Sequence, residues 1–258
     1  MNPRTQNNDW ATVAAIALAA MCVVTTVHEA LGHGGACLAL GGRIALLTSS
    51  LFHCGLGSPW ISPAGPIANL LGGTLLLLAL SLVPRRLAAL RLFLVLVTSF
   101  SFFWEGAYAI KAMLARNGDL YFAGQDFLGE PSLWWRIAGA VAGLCLYLFT
   151  ARWASLRLGG FAPDTAAASR LARTAWIAAT LGTALAALAY PGEGWDGMKD
   201  AVLEIGAASL PLLFMPFRNQ APMETSNFLS IGRGGKTISF SLAVFAVFVL
   251  TLGHGLRF

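Results

Sequence analysis

The chain is short of charge. Only 11% of its 258 residues are Asp, Glu, Lys or Arg, while 57% are hydrophobic; a soluble domain carries about 25% charged residues. The few charges are bunched, with long uncharged runs between them. This excludes an ordinary soluble globule. It fits a polytopic membrane protein, in which runs of about 20 apolar residues cross the hydrocarbon. The net charge of +5 carries no nucleic-acid signal, because no basic run is interleaved with aromatics. The arginines sit in short loops between apolar runs, where they orient a membrane chain. The expected partner is therefore the lipid bilayer, with no nucleic acid.

Cysteine is also scarce. The four, Cys22, Cys37, Cys54 and Cys145, include no Cys-x-x-Cys, so nothing points to a zinc knuckle or a thiol-redox centre. Cys22 and Cys145 lie in apolar runs and read as small core residues. Neither a long internal repeat nor a low-complexity tract is present. A cleaved leader is not expected. Residues 11–24 have its apolar character, but Arg4 is offset by Asp9, and the run continues past any cleavage point.

What is present is a series of apolar segments, at about 10–40, 58–83, 92–113, 133–151, 174–190, 201–217 and 237–254. The expected fold is one all-α integral-membrane domain over 1–258 with about seven transmembrane helices. Residues 43–57 form a short irregular or hairpin loop between the first and second. Three prolines and a glycine at the head of the second segment (Pro59, Pro63, Gly65, Pro66) cannot all be helix interior. With the N-terminus in the cytoplasm, cytoplasmic segment ends carry eleven of the seventeen Lys and Arg and outer ends carry six, so the N-terminus is expected inside and the C-terminus outside. An acidic loop with Glu193, Asp196 and Asp200 precedes the sixth segment.

Inside the first segment lies His28-Glu29-Ala30-Leu31-Gly32-His33. Two imidazoles and a carboxylate are costly in an apolar setting and call for a partner. The natural partner of two histidines is a metal ion, and zinc takes three protein ligands at a catalytic centre. The uncharged run from Trp10 to Val27 is about 27 Å of helix, so the motif lies near its far end. The histidines are five apart, and on an ideal helix they diverge by roughly 140°. A π-bulge brings positions five apart onto one side. Gly32, Gly34 and Gly35 let the backbone distort there, so a distorted helix is expected between Glu29 and His33. The His-Glu-x-x-Gly-His spacing resembles the zinc motif of the dipeptidyl peptidase III family. Glu29 would be the general base that takes a proton from the attacking water. The alternative is a hydrogen-bonded histidine pair at a helix end. His53 and Cys54 read as incidental, and His254 as a surface residue.

The chain also resembles the site-2 protease family of intramembrane zinc metalloproteases. The likeness rests on Val27-His28-Glu29 to His33 with the Ala36–Gly42 exit, on the irregular stretch 43–57, and on Pro63-Ala64-Gly65-Pro66-Ile67-Ala68-Asn69. It implies a protease-like core over 10–132, with 133–254 as additional transmembrane helices. It implies Zn2+ on His28, His33 and a later aspartate. Asp119, in Asn117-Gly118-Asp119, is the first choice, with Asp126 and Glu105 as alternatives. It implies that Asn69 hydrogen-bonds near the substrate or the attacking water. The implied substrate is a transmembrane or membrane-associated protein, and the implied location is a multi-pass site in a membrane such as the bacterial inner membrane. The chain departs from the family in its longer histidine spacing and in a charge bias that puts the motif towards the outer face. A non-catalytic metal- or partner-binding membrane protein of the same fold, or a transporter, are the rival readings. Against transport, no inverted repeat is visible.

Overall fold

The computed structural model describes residues 8–192, 194–215 and 228–258. Arg4, Glu193, Arg218 and the last two residues of the sixth apolar segment lie outside the described residues. Helix α1 spans Trp10–Ala39. A hairpin of β1 (Ile44–Leu47) and β2 (Phe52–Cys54) follows. Next come α2 (Ile61–Ala79), α3 (Ala88–Ala115), the short α4 (Asp119–Leu128), α5 (Leu133–Gly159) and α6 (Thr165–Leu188). Two short helices, α7 (Trp195–Ala201) and α8 (Pro211–Phe214), precede α9 (Gly235–Gly253). Among the described residues, α1, α2, α3, α5, α6 and α9 are six helices long and apolar enough to cross a membrane.

The helix starts are legible as local chemistry. The Asp9 carboxylate accepts the Thr12 N–H at 2.9 Å, the Ser132 hydroxyl oxygen accepts that of Trp135 at 3.3 Å, and Asp164 accepts that of Ala167 at 2.7 Å. Each satisfies an amide that the first turn leaves without an intrahelical acceptor. Helix α1 is the central element, packed by α3, α6 and α9. Val13, Ile16 and Met21 of α1 meet Leu92, Phe100 and Phe103 of α3 and Leu171 of α6 in one apolar core. Small residues permit the close approach. A Cβ on Gly182 of α6 would sit 2.4 Å from Leu18 Cδ2, the contact that glycine makes possible between membrane helices.

The elements share two ends. At one, the Asn8 side-chain amide donates to Phe161 O at 2.8 Å, and its carbonyl oxygen accepts the Ile231 N–H at 2.7 Å. At the other, Leu47 and Leu256 exchange backbone hydrogen bonds of 2.9 and 2.8 Å, so the C-terminus lies on the hairpin. The stretch from Trp195 to Phe214 runs back along α6: Trp176 Nε1 donates to Gly206 O at 2.8 Å, and Arg173 Nε to Leu213 O at 3.1 Å. A π stretch over Val202–Ala207 and the start of α8 at Pro211 break it. The sixth apolar segment is thus not one long helix.

As expected, the prolines at the head of the second segment are not all helix interior: Pro59 precedes α2, Pro63 lies in its first turn, where its missing N–H has no intrahelical role, and only Pro66 removes a helix bond. Between the third and fourth apolar segments the chain forms α4, because Gly118 turns it at φ +106° and starts it. One expectation is corrected: Cys145 faces outward from α5, whereas Cys22 is buried as expected. Residues 43–57 do form a hairpin, with Ile44 opposite Cys54 and Leu47 opposite Phe52. The Thr48 hydroxyl oxygen closes its turn by accepting the Leu51 N–H at 2.7 Å.

Cys37, at the end of α1, is disulfide-bonded to Cys54 of β2, with Cα atoms 6.0 Å apart. Nothing in the cysteine spacing announced this pair. It ties the hairpin to the helix that carries the histidines. Peptide mapping without reductant should recover the Cys37 and Cys54 peptides cross-linked, with Cys22 and Cys145 as free thiols. Any cross-link to Cys22 or Cys145 would contradict the packing of α1 against the hairpin.

Candidate metal centre

The α1 backbone changes hand-over distance where the histidines sit. Residues Val27–Gly34 form a π stretch, with i to i+5 hydrogen bonding in place of i to i+4. The distortion expected between Glu29 and His33 is present and wider than that interval. It brings the two rings within 4.9 Å, centroid to centroid, at an interplanar angle of 73°.

Both imidazoles are buried, and each is held by its Nδ1. His28 Nδ1 donates to Glu105 Oε1 of α3 at 3.0 Å. His33 Nδ1 lies 2.8 Å from the Ile61 carbonyl of α2. A carbonyl only accepts, so Nδ1 carries the proton and Nε2 of the neutral ring presents a lone pair. A carboxylate or carbonyl on the far nitrogen is the usual support of a metal-ligating histidine. Trp104 stacks on His28 at 4.3 Å and 9°, and Phe52 of the hairpin stacks on His33 at 5.6 Å and 18°. Neither ring is free to turn.

The two Nε2 atoms converge on Asp119. Its Oδ2 lies 3.6 Å from His28 Nε2 and 3.4 Å from His33 Nε2. Charge-assisted hydrogen bonds are shorter, about 2.7–2.9 Å. Donors on one tetrahedral zinc, at bond lengths of about 2.0–2.1 Å, are separated by about 3.3–3.4 Å. The three ligand atoms all lie within 4.8 Å of one another, and among the described residues His28, His33 and Asp119 are the one group of this kind. A carboxylate that takes a divalent cation does so in its ionised form. Two lone pairs and a carboxylate oxygen aimed at one point fit a divalent cation of zinc type.

Asp119 is placed by Tyr108 of α3, whose hydroxyl oxygen accepts the Asp119 N–H at 3.2 Å. A Cβ on Gly118 would come 2.8 Å from that same oxygen. Glu29 is buried beside His28, within electrostatic reach of His28, His33 and Asp119.

The remaining expected residues fall in different places. Glu105 is at the centre but behind His28, on the Nδ1 side. Asn69 is fully buried in α2, and its Nδ2 donates to Glu105 Oε1 at 2.9 Å. The same Nδ2 lies 3.1 Å from His28 Nδ1, so Asn69 braces both Glu105 and His28. Asp126 is exposed on α4, away from the group. His53 and His254 are exposed as well.

Residue chemistry alone missed Tyr108, Trp104 and Phe52, and it missed why glycine occupies positions 32 and 65. Gly32 of α1 and Gly65 of α2 meet where the helices cross: a Cβ on Gly32 would lie 2.6 Å from Gly65 Cα. A Cβ on Gly65 would lie 2.4 Å from His33 Nε2 and 2.7 Å from His28 Nε2. Only a residue without a side chain leaves room between the two Nε2 atoms.

Gly65→Ala should therefore weaken metal binding at least about tenfold, by displacing one imidazole from a site with rigid donor geometry, and keep the helical content. Gly72→Ala in the same helix is the control, since its Cβ meets only Val27 Cγ1 at an ordinary 3.6 Å. Metal per chain after dialysis against a weak chelator measures both. Equal retention by the two variants would refute this role for Gly65. In comparisons with protein-family models, curated proteins and solved structures, nothing matches this chain.

Proposed function

We propose that the chain is an intramembrane zinc metalloprotease of the site-2 protease kind, hydrolysing a peptide bond in or near the bilayer. One observation carries the reading: two histidine Nε2 lone pairs and the Asp119 carboxylate converge at tetrahedral-edge distances, each imidazole fixed from behind by an acceptor. His28, His33 and Asp119 would hold the ion. A bound Zn2+ supplies Lewis acidity towards the scissile carbonyl and makes water a nucleophile near neutral pH.

The chain's own residues do the rest. Glu29 accepts a proton from the attacking water and returns it to the departing amine nitrogen as the C–O bond forms and the C–N bond breaks. Glu105 and Asn69 hold His28 in one tautomer and one orientation. Trp104 and Phe52 wall the histidines from lipid. Tyr108 keeps Asp119 at the start of α4. The buried polar network leaves Asp119 as the partly exposed member, with 24% of its side chain accessible, so water enters from its side.

The topology belongs to the same proposal. The stretch Trp195–Phe214 returns along α6 and supplies a seventh crossing, broken where its π stretch lies. The N-terminus is then cytoplasmic and the metal centre is near the opposite face. The disulfide at the motif end agrees, because disulfides persist on the oxidising side of a membrane. In a bacterial inner membrane that side is the periplasm. The substrate is a transmembrane or membrane-edge protein reaching the centre from that face.

The test uses protein purified in detergent, with zinc per chain measured beside cleavage of a co-reconstituted single-span reporter. Wild type should bind one zinc. His28→Ala should lose it. Glu29→Gln should keep it and lose about 10²–10⁴-fold in cleavage rate. Wild-type protein without zinc, or full zinc in His28→Ala, would defeat the proposal.

A further inference from the structure

The one ligand that does not come from a long helix is Asp119. It is the first residue of α4, a ten-residue helix in the link between the spans α3 and α5. Helix α4 has little of the protein to hold it. It buries only Tyr121, Ala123 and Gly124. Phe122, Phe127 and Leu128 are exposed, Leu128 to 64%. The patch continues into α5, where Leu133 and Trp134 are exposed to 63% and 78%, and onto Trp60, whose ring packs edge-on against Phe127 at 4.7 Å.

A second feature adjoins this patch. Between the end of α3 and the start of α5 lies a cavity of about 280 Å³ lined by Met113, Leu114, Leu133, Ile137 and Val141, with Arg136 among the lining residues. The walls are apolar. Arg136 donates Nε–H to Met113 O at 2.8 Å, and its other N–H groups have no protein partner among the described residues. Lys111 and Arg116 are exposed close by in the chain.

We infer that α4 is an interfacial helix docked into the headgroup layer of the bilayer by phospholipid, and that this lipid contact sets the position of Asp119. The link joins the ends of two apolar spans, so α4 lies at the level of the membrane surface. Tryptophan and phenylalanine in such a belt favour the interface, and apolar side chains presented there insert into the boundary of headgroup and acyl chain. The cavity takes the upper part of one acyl chain, with the lipid phosphate at Arg136. Gln125 and Asp126, also exposed, flank Phe122 on its side of α4, three and four residues on, and border the polar headgroups. The metal centre then holds its ion most tightly when a bilayer keeps α4 against Tyr108. This rests on Asp119 being a ligand.

The test reconstitutes the full chain in nanodiscs of phosphatidylcholine doped with a phospholipid bearing a diazirine near the glycerol end of its acyl chain. After illumination, lipid adducts should map to Phe122, Phe127, Leu128 and the cavity residues Leu114 and Leu133. In the same discs, Phe122→Ser/Leu128→Ser should weaken zinc binding about tenfold, and Leu75→Ser, on the exposed face of α2, should leave it unchanged. Adducts confined to the long helices overturn the inference, as does unchanged zinc affinity in the double variant. Lipid adducts on α4 in wild-type protein that binds no zinc would instead overturn the metal reading and the coupling to it, leaving only the docking.

Discussion

The whole arrangement depends on one backbone irregularity, the π stretch over Val27–Gly34. Histidines five apart on a regular α-helix would point to different neighbours, and one would face lipid or a core of alanine and valine. The extra residue per turn puts both rings on the α2 and α3 side of α1. A π turn is less stable than the α turn it replaces, so it persists where the surroundings over-determine it. Here they do. Glu105 from α3 and the Ile61 carbonyl from α2 each hold one imidazole, and Trp104 and Phe52 fix the ring planes.

The second constraint is close approach. Gly32 and Gly65 let α1 and α2 cross with their backbones in contact, which carries the Pro-Ala-Gly-Pro stretch up to the histidine nitrogens. The same crossing puts Asn69, one helical turn further along α2, against Glu105. The α1–α2 crossing and the Asn69–Glu105 hydrogen bond thus share one contact between two glycines. The disulfide and the Leu47–Leu256 bridge hold the hairpin at this end of the bundle, so the wall over His33 does not depend on the hairpin's own few backbone bonds.

Much of this was legible in the residues. Low charge and apolar runs announced the membrane helices, and an awkward histidine spacing beside three glycines announced a distorted helix. Asp119 was reached only through the likeness of Asn117-Gly118-Asp119 to the site-2 protease motif, with Asp126 and Glu105 beside it, whereas the hairpin was legible from its mixture of β-branched and polar residues. What was hidden depended on distant pairing. Glu105 reads as an acid in a span, and only the packing of α3 on α1 shows that it serves His28 from behind. Asn69 reads as a helix-head polar group, yet α2 starts eight residues earlier because two prolines fit inside it. Cys37 and Cys54 have no spacing rule, since their pairing follows from the hairpin folding back. The break in the sixth segment reflects a π stretch and a proline start that hydropathy does not register.

The central claim is that two imidazoles and one carboxylate of this chain bind a single zinc ion. X-ray absorption at the zinc edge of the protein in a bilayer tests it most directly. The expected first shell is two imidazole nitrogens and oxygen donors at about 2.0–2.1 Å, with no sulfur, and it should lose one nitrogen or the metal itself in His33→Ala. A shell containing sulfur, one of oxygens alone, or one unchanged in His33→Ala would contradict it.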